Sequence, residues 1–186
     1  LFPYTTLFRS HITHQCYGQI SIGNYSCVDT TIIDTLINDF CQAGVEAHEV
    51  EYHEARWKKA VWNMPFNGMT VALRTQTDIL LRHPATRQLI TRQMHEVVGA
   101  ARALGVEGLD EAFIEQMLQM TDDMVPYSPS MRLDYDFHRP MEIHYLYTRP
   151  IAIAREAGFA MPKLEMLQQQ LLFIDSHKVG SINSHR

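Results

Sequence analysis

One segment, residues 56–71, limits the possible folds more than any other part of the sequence. If it forms a helix, that helix is apolar around most of its circumference. The apolar positions are Trp57, Ala60, Val61, Trp62, Met64, Phe66, Met69 and Val71. A helix that is apolar on nearly every side must be surrounded by other elements. The sequence therefore predicts a buried helix at the centre of a domain.

Helical periodicity continues through most of the remaining chain. Apolar residues recur at helical spacing in a long segment that follows Pro84 and stops at Gly105, and again after Asp110, a residue type that caps helices. Further helices are predicted at residues 54–73, 78–82, 142–157 and 164–176, with a short one beginning at Ser130. The methionines fit core-facing positions of these helices, which indicates packing rather than a ligand pocket. The patterns predict a mainly α fold.

The N-terminal part follows a different pattern. Residues 11–25 are typical of strands, with polar and apolar side chains alternating at 19–23. Asp29 or Thr30 can cap a helix that follows, and residues 45–52 then form another strand. A unit of two strands, a helix and a strand cannot enclose a core alone. It is therefore predicted to be the last part of a larger α/β domain.

The first ten residues, LFPYTTLFRS, do not match a signal peptide, because they have neither a basic start nor a small-residue cleavage site. They resemble a translated sequencing-adapter fragment, so we expect them to be non-native; the alternative is an ordinary, poorly ordered terminus. The predicted organisation is an α/β remnant at 11–53, a helical domain at 54–178 and a tail at 179–186.

Composition excludes several classes of function. The net charge is −5 and there is no basic stripe, which argues against nucleic acid or an anionic membrane as the main partner. No apolar run approaches the roughly 18 residues that a membrane-spanning helix needs. The three cysteines form no Cys-x-x-Cys pair, so a reducing cytoplasm is expected. The ten histidines include no His-Glu-x-x-His pattern, so no metal site is predicted.

Three polar residues, Lys59, Asn63 and Asn67, interrupt the apolar segment and form a polar stripe. Steps of four residues keep them within an arc of about 80° on one helix face. Pro65 cannot donate to the carbonyl of Val61, so the helix is expected to bend there and to free a polar group. The polar stripe either lines a cleft or forms an internal seam from which Lys59 reaches outward. The pattern alone leaves both interpretations open.

Two later positions carry polar side chains beside prolines. Ser130 follows Pro129 and is suited to cap a short helix. Glu142 follows Arg139-Pro140 and opens a helix, where the dipole favours a carboxylate. Taken alone, each is explained as a residue that starts a helix.

Together these positions resemble the C-terminal half of the ketopantoate reductases (2-dehydropantoate 2-reductases). The similarity lies in three ordered motifs: Trp57-x-Lys59-x-x-x-Asn63-x-x-x-Asn67, Pro129-Ser130-Met131 and Arg139-Pro140-x-Glu142-Ile143. The spacing from serine to glutamate also fits that family, and the similarity extends over residues 12–178. It implies a helical domain of the 6-phosphogluconate dehydrogenase C-terminal-like type, preceded by a β-β-α-β remnant of a Rossmann-type domain.

The resemblance also implies a reaction, in which NADPH delivers hydride to the ketone of ketopantoate and gives pantoate for pantothenate and coenzyme A biosynthesis. In this family the residue matching Lys59 is the proton donor to the developing alkoxide. The residues matching Asn63, Asn67 and Ser130 bind the substrate. The residue matching Glu142 contacts the cofactor. The implied partners are a small 2-oxo acid and, in a homodimer, a second copy of the chain.

The chain departs from the family pattern in several places. It has no Gly-x-Gly-x-x-Gly loop, so alone it is expected to bind NADPH weakly or not at all and to be inactive. Thr77-Asp78-Ile79-Leu80 stands where the family has a substrate-side asparagine before Gly-Glu-Leu. His144 replaces an acidic residue, and Tyr147-Thr148 replaces Asn-Gly. Two alternatives follow: a reductase of a different 2-oxo acid, or a helical interaction or dimerisation module without activity.

Overall fold

The computed structural model describes residues 18–180, with side chains to residue 177. In chain order the elements are β1 (Ile20–Gly23), α1 (Thr31–Gln42), β2 (Ala47–Val50), α2 (Tyr52–Ala72), α3 (Thr77–Arg82), α4 (Pro84–Ala103), α5 (Glu111–Asp123), α6 (Ser130–Asp136), a π-helix (His144–Thr148), α7 (Arg149–Glu156) and α8 (Pro162–Gly180). The predicted mainly α fold is confirmed. The chain divides into two compact units between Tyr52 and His53.

The first unit contains a parallel pair of strands. In β1 and β2, Ile20 lies opposite Ala47 and Gly23 opposite Val50. Parallel neighbours need a crossover connection, which α1 provides, so the strand, helix and strand have α/β topology. The part of the predicted remnant before residue 18 lies outside the described residues.

The apolar stripe of α1 is mostly uncovered. Ile33 is buried, whereas Ile32 and Leu36 are 50% and 43% exposed. A single helix beside two strands buries too little of this stripe to form a core of its own.

The second unit is helical and holds the main core. Its largest fully buried side chains come from α2, α4, α5, α8 and their connections, and include Phe66, Ile90, Tyr147 and Leu164. Buried methionines at positions 64, 69, 94, 131, 141 and 161 confirm that this residue type serves packing here. Within the described residues, no helix is both long enough and apolar enough to cross a membrane.

A buried carboxylate joins α4 to α8. Glu96 is 7% exposed, and its side chain accepts hydrogen bonds from the backbone N–H groups of Lys163 and Leu164, each at 3.0 Å. The ammonium group of Lys163 adds a bond of 3.1 Å. The first N–H groups of a helix have no partner inside it, so a carboxylate from α4 caps α8.

The single helix predicted at residues 142–157 is wrong in its first turns. Residues His144–Thr148 form a π-helix, in which the Arg149 N–H bonds to the carbonyl of His144. Pro150 has no N–H to offer the carbonyl of Leu146, so the α-helical hydrogen bond at this level cannot form. The wider turn ends where α7 begins, and it sets the direction in which Tyr147 projects.

Candidate active site

Lys59 lies in the open part of α2. None of residues 52–60 is buried, and Lys59 itself is exposed. Its neighbour Lys58 pairs with Glu54 one turn earlier, whereas Lys59 forms no ion pair with any residue that the structure describes. The burial predicted for the whole helix is therefore wrong at Lys59, because the packing around α2 begins only at Val61. The amine is available to a bound molecule.

Asn63 lies one turn further along the same face and is half-buried. Its backbone carbonyl accepts a bond of 3.0 Å from the Asn67 side chain. Its own carboxamide has no hydrogen-bond partner within the described residues. Lys59 and Asn63 thus present an amine and an amide, both uncommitted, on one side of α2.

Asn67 is engaged in the fold. It is 3% exposed, its Nδ2 donates to the Asn63 carbonyl, and its Oδ1 accepts from the Met131 N–H at 3.0 Å. An amide nitrogen has a second hydrogen and the oxygen a second lone pair, so contact with substrate remains a prediction for this residue. Asn67 matches the seam interpretation of the polar stripe. The exposure of Lys59 agrees with a lysine that reaches outward from such a seam as well as with a cleft, so the cleft stays a prediction for Lys59 and Asn63.

Ser130 is the first residue of α6 and is exposed. The prediction that it caps the helix is wrong: Pro129 occupies the N-cap position and no side chain caps this end. Met131, the residue after Ser130, donates its N–H to Asn67 of α2. This bond places Ser130 close to that helix. A second link, from Arg132 Nη1 to the Thr70 carbonyl at 2.9 Å, fixes α6 against the same helix.

Glu142 is exposed between two buried residues, Met141 and Ile143. It comes just before the π-helix, and its carbonyl accepts the N–H of Leu146 at 3.0 Å. Its carboxylate has no partner within the described part of the chain. Five residues later, the Tyr147 hydroxyl donates to the carbonyl of Met64 in α2 at 2.5 Å. The segments that carry Ser130 and Glu142 are therefore both bonded to the helix of the polar stripe.

The structure describes no cradle for a dinucleotide phosphate. At the N-terminus of α1, which follows β1, Asp29 Oδ1 accepts the N–H and the hydroxyl of Thr31 at 3.0 and 2.5 Å. The Thr31 hydroxyl, and then its N–H, hold the pKa of Asp29 below its usual value. A carboxylate that stays ionised at this helix end repels a phosphate instead of leaving N–H groups free for it. The residues at the start of α1 do not fit the cofactor's pyrophosphate.

No cluster of three or more potential metal ligands occurs among the described histidines, cysteines and acidic residues. The chemistry that the residues on α2, α6 and the π-helix segment can supply is therefore that of an amine, an amide, a hydroxyl and a carboxylate.

Residues 51–175 match the family described as the ketopantoate reductase PanE/ApbA C terminal. The chain belongs to this family. Its match to the 2-dehydropantoate 2-reductase of Nostoc sp. is 37% identical over 171 residues and covers 89% of the chain and 53% of that relative. The chain thus spans about half the length of the curated relative it matches.

Solved structures agree with the family assignment. The 2-dehydropantoate 2-reductase of Geobacter metallireducens is 36% identical, with a TM-score of 0.80 over 85% of this chain and 53% of that one. The enzyme from Methylococcus capsulatus is 28% identical, also with a TM-score of 0.80, over 89% of this chain and 53% of that one. A D-mandelate dehydrogenase solved with NADH is 18% identical, with a TM-score of 0.75 over 88% of this chain and 70% of that one, and shares the fold.

The sequence patterns did not indicate the contacts of Tyr147 or Glu96. Tyr147 was noted as a departure from the family, but no local pattern indicated that its hydroxyl reaches α2. The signal that could have found it is Gly68, a glycine inside a helix that is otherwise densely packed. Glu96 gave no signal, since its partners are 67 and 68 residues away in the sequence.

Proposed function

We propose that the chain is the substrate-binding and proton-donating half of an NADPH-dependent 2-dehydropantoate 2-reductase, which reduces ketopantoate to pantoate for pantothenate and coenzyme A biosynthesis. The observation that carries the proposal is the uncommitted pair Lys59 and Asn63 on one face of α2, with the Ser130 and Glu142 segments both bonded to that helix. Packing alone does not require an amine and an amide to be left without partners there.

Lys59 is the proton donor in this proposal. Reduction of a ketone builds negative charge on its oxygen, whatever supplies the hydride. An ammonium group directed at that oxygen stabilises the charge and then transfers a proton to it. The long lysine side chain at the open end of α2 can reach a substrate bound beside the helix without leaving a buried charge behind.

Asn63 and Ser130 bind the 2-oxo acid. A carboxamide both donates and accepts, so Asn63 can hold a hydroxyl as well as a carboxylate, and the Ser130 hydroxyl adds a further bond. Asn67 orients the site and has one donor and one acceptor position left for the substrate. Glu142 contacts the cofactor where the site closes.

We assign the NADPH phosphates to the part of the relatives that this chain does not match, because the N-terminus of α1 is occupied by Asp29. The chain alone is then expected to bind NADPH weakly or not at all. Calorimetric titration of the chain tests this expectation, and micromolar NADPH binding would contradict it. For the whole protein we also propose a homodimer, since the ketopantoate reductase of Staphylococcus aureus is described as dimeric.

The function can be tested in a hybrid in which this chain replaces the matching segment of the Nostoc reductase, the parent enzyme serving as a control. The hybrid should oxidise NADPH when ketopantoate is added. The same assay with a panel of other 2-oxo acids tests whether one of them is a better substrate. A folded hybrid that reduces none of these acids, beside an active parent, contradicts the proposal and favours a module without activity.

Lys59→Met tests the proton donor in the same hybrid, because it keeps the length of the side chain and removes the amine. We expect turnover to fall by roughly 10²- to 10⁴-fold, the usual cost of losing a positioned acid. Lys58→Met is the matched control, since Lys58 is adjacent and pairs with Glu54. Equal turnover in the two variants contradicts the role of Lys59.

A further inference from the structure

The Tyr147 hydroxyl lies within the hydrogen-bond ladder of another helix. Tyr147 has no exposed surface, and its hydroxyl donates to the Met64 carbonyl at 2.5 Å and lies close to Gly68. In an α-helix, the carbonyl of residue 64 and the N–H of residue 68 are each other's regular partners. The phenol therefore donates to a carbonyl that belongs to the backbone hydrogen-bond ladder of α2.

Gly68 makes room for this contact. A Cβ at position 68 would lie 2.5 Å from the Tyr147 hydroxyl and 2.6 Å from Leu167 Cδ2, both closer than real Cβ contacts. Gly68 is in the middle of a helix, where glycine costs about 1 kcal/mol relative to alanine. The close approach of the phenol and of Leu167 leaves no room for a side chain at position 68.

The contact lies inside the candidate active site. Met64 directly follows Asn63, and Gly68 directly follows Asn67, so the phenol contacts the backbone beside both amides. Tyr147 is five residues after Glu142, on the π-helix that begins two residues beyond it. One hydroxyl thus connects the Glu142 segment to the part of α2 that carries the uncommitted carboxamide.

Two features of the chain make the backbone of α2 at this level depend on a supporting contact. Pro65 has no N–H, so the ladder of α2 already lacks the bond to the Val61 carbonyl one turn earlier. Single π-turns occur frequently at functional sites, and this one directs Tyr147 at α2. Burial raises the pKa of Tyr147 above its usual value, against the opposing effect of the Gly68 N–H, so the phenol keeps its proton and remains a donor.

We propose that Tyr147 is a positioning residue: by bonding to the Met64 carbonyl and packing against Gly68 it sets the direction of the Asn63 side chain beside Lys59 and couples it to the Glu142 segment. This inference depends on the proposed reductase function for its kinetic consequence. Its structural part, the dependence of Asn63 on the phenol, does not.

The kinetic test is Tyr147→Phe in the hybrid enzyme, with Tyr145→Phe as the matched control, because Tyr145 is in the same π-helix and is 70% exposed. Loss of one orienting hydrogen bond is expected to raise KM for ketopantoate about tenfold, with kcat changed less, since Asn63 binds substrate and Lys59 keeps its place. A substitution that only lowered thermal stability would not raise KM while leaving kcat nearly unchanged.

Gly68→Ala reaches the same contact from the other side. Gly68→Ala retains the Tyr147 hydroxyl, but the added methyl group pushes that hydroxyl away from α2. The KM for ketopantoate should therefore rise, as in Tyr147→Phe. This second variant keeps the test decisive if one substitution prevents folding. The NMR signals of the Asn63 side-chain amide, recorded on the chain itself, provide a readout that needs neither substrate nor cofactor.

The outcomes are distinct. A raised KM in Tyr147→Phe but not in Tyr145→Phe supports the inference. If Tyr147→Phe and Tyr145→Phe both have the same KM as an active hybrid without substitutions, the inference is overturned. If the hybrid without substitutions is inactive, the proposed function fails, and the NMR signals of the Asn63 side-chain amide decide the structural part of the inference. A shift of these signals in Tyr147→Phe but not in Tyr145→Phe supports positioning. Unchanged signals in Tyr147→Phe overturn it.

Discussion

The two halves of α2 have different surroundings although one sequence pattern runs through both. Residues 52–60 include no buried side chain, whereas every residue from 64 to 71 is buried. The polar stripe crosses this boundary, with Lys59 exposed, Asn63 half-buried and Asn67 bonded to another helix. The same face of one helix thus offers a reactive group at its open end and a structural amide at its closed end.

This difference shows that depth along a helix separates the roles of residues that share a face. Lys59 and Asn63, whose side chains have no hydrogen-bond or ion-pair partner within the described residues, lie where the packing ends, and Asn67, with two partners, lies where it is complete. Substitutions in the two halves should therefore affect different quantities, activity in the open half and stability in the closed half. The following experiments test that separation, from the largest effect to the smallest.

Phe66→Ala should produce the largest loss of stability. Phe66 is fully buried and stacks on Trp62 with 4.9 Å between ring centroids, so truncation is expected to lower the free energy of unfolding by about 3–5 kcal/mol. Lys59→Met should change it by no more than about 0.5 kcal/mol. Urea denaturation followed by tryptophan fluorescence measures both, because the chain's two tryptophans, Trp57 and Trp62, lie in α2. Similar losses in the two variants contradict the division of α2.

Asn67→Ala should have an intermediate effect. It leaves the Met131 N–H without its bond and is expected to cost about 1–3 kcal/mol of stability. Asn63→Ala is the matched control and should cost less than about 0.5 kcal/mol, because its carboxamide has no partner within the described residues. If Asn63→Ala raises the KM of the hybrid enzyme without this loss of stability, the two asparagines have different roles, one in substrate binding and one in the fold. Equal stability losses for the two asparagines argue that both belong to the seam.

The smallest effect is expected at a surface ion pair of α4 and α5. Arg87 donates to both carboxylate oxygens of Asp122, at 2.9 and 2.6 Å, and these bonds hold the pKa of Asp122 below its usual value. The stabilisation is therefore complete above the ordinary aspartate pKa of about 3.9 and is lost as the pH falls through the lower pKa of the folded state.

Asp122→Asn should lower stability at pH 7 by about 0.2–1 kcal/mol, the range of exposed pairs, and by a smaller amount at a pH below the ordinary aspartate pKa of about 3.9. Denaturation curves at the two pH values check this. Asp123→Asn is the control, since Asp123 accepts from the Gln119 amide without an ion pair. A loss for Asp122→Asn that is the same at both pH values would mean that the charge is not responsible.

Much of the fold could be predicted because its signals are local. The spacing of four residues placed the polar stripe on one face of α2, and Asp110 does cap α5, accepting the Phe113 N–H at 3.0 Å. The stop at Gly105 is also confirmed, with a left-handed φ of 79° that glycine tolerates without strain.

The errors come from information that a local pattern does not contain. Periodicity describes the circumference of α2 but not where along its axis the neighbouring helices end, so the whole helix was expected to be buried, whereas residues 52–60 are not. Ser130 had the right residue type for a cap, but the fixed φ of Pro129 suits the cap position itself. Tyr147 was missed because its partner is 83 residues away.

The capping of α8 by Glu96 has a consequence for the order of folding. The carboxylate and the N–H groups it binds are 67 and 68 residues apart, and closing a loop of that length costs conformational entropy before any of the bonds can form. Contacts so distant in sequence slow folding. We therefore expect α8 to dock late, so that protection of the Lys163 and Leu164 amides from hydrogen exchange should mark the last step in assembling the helical unit.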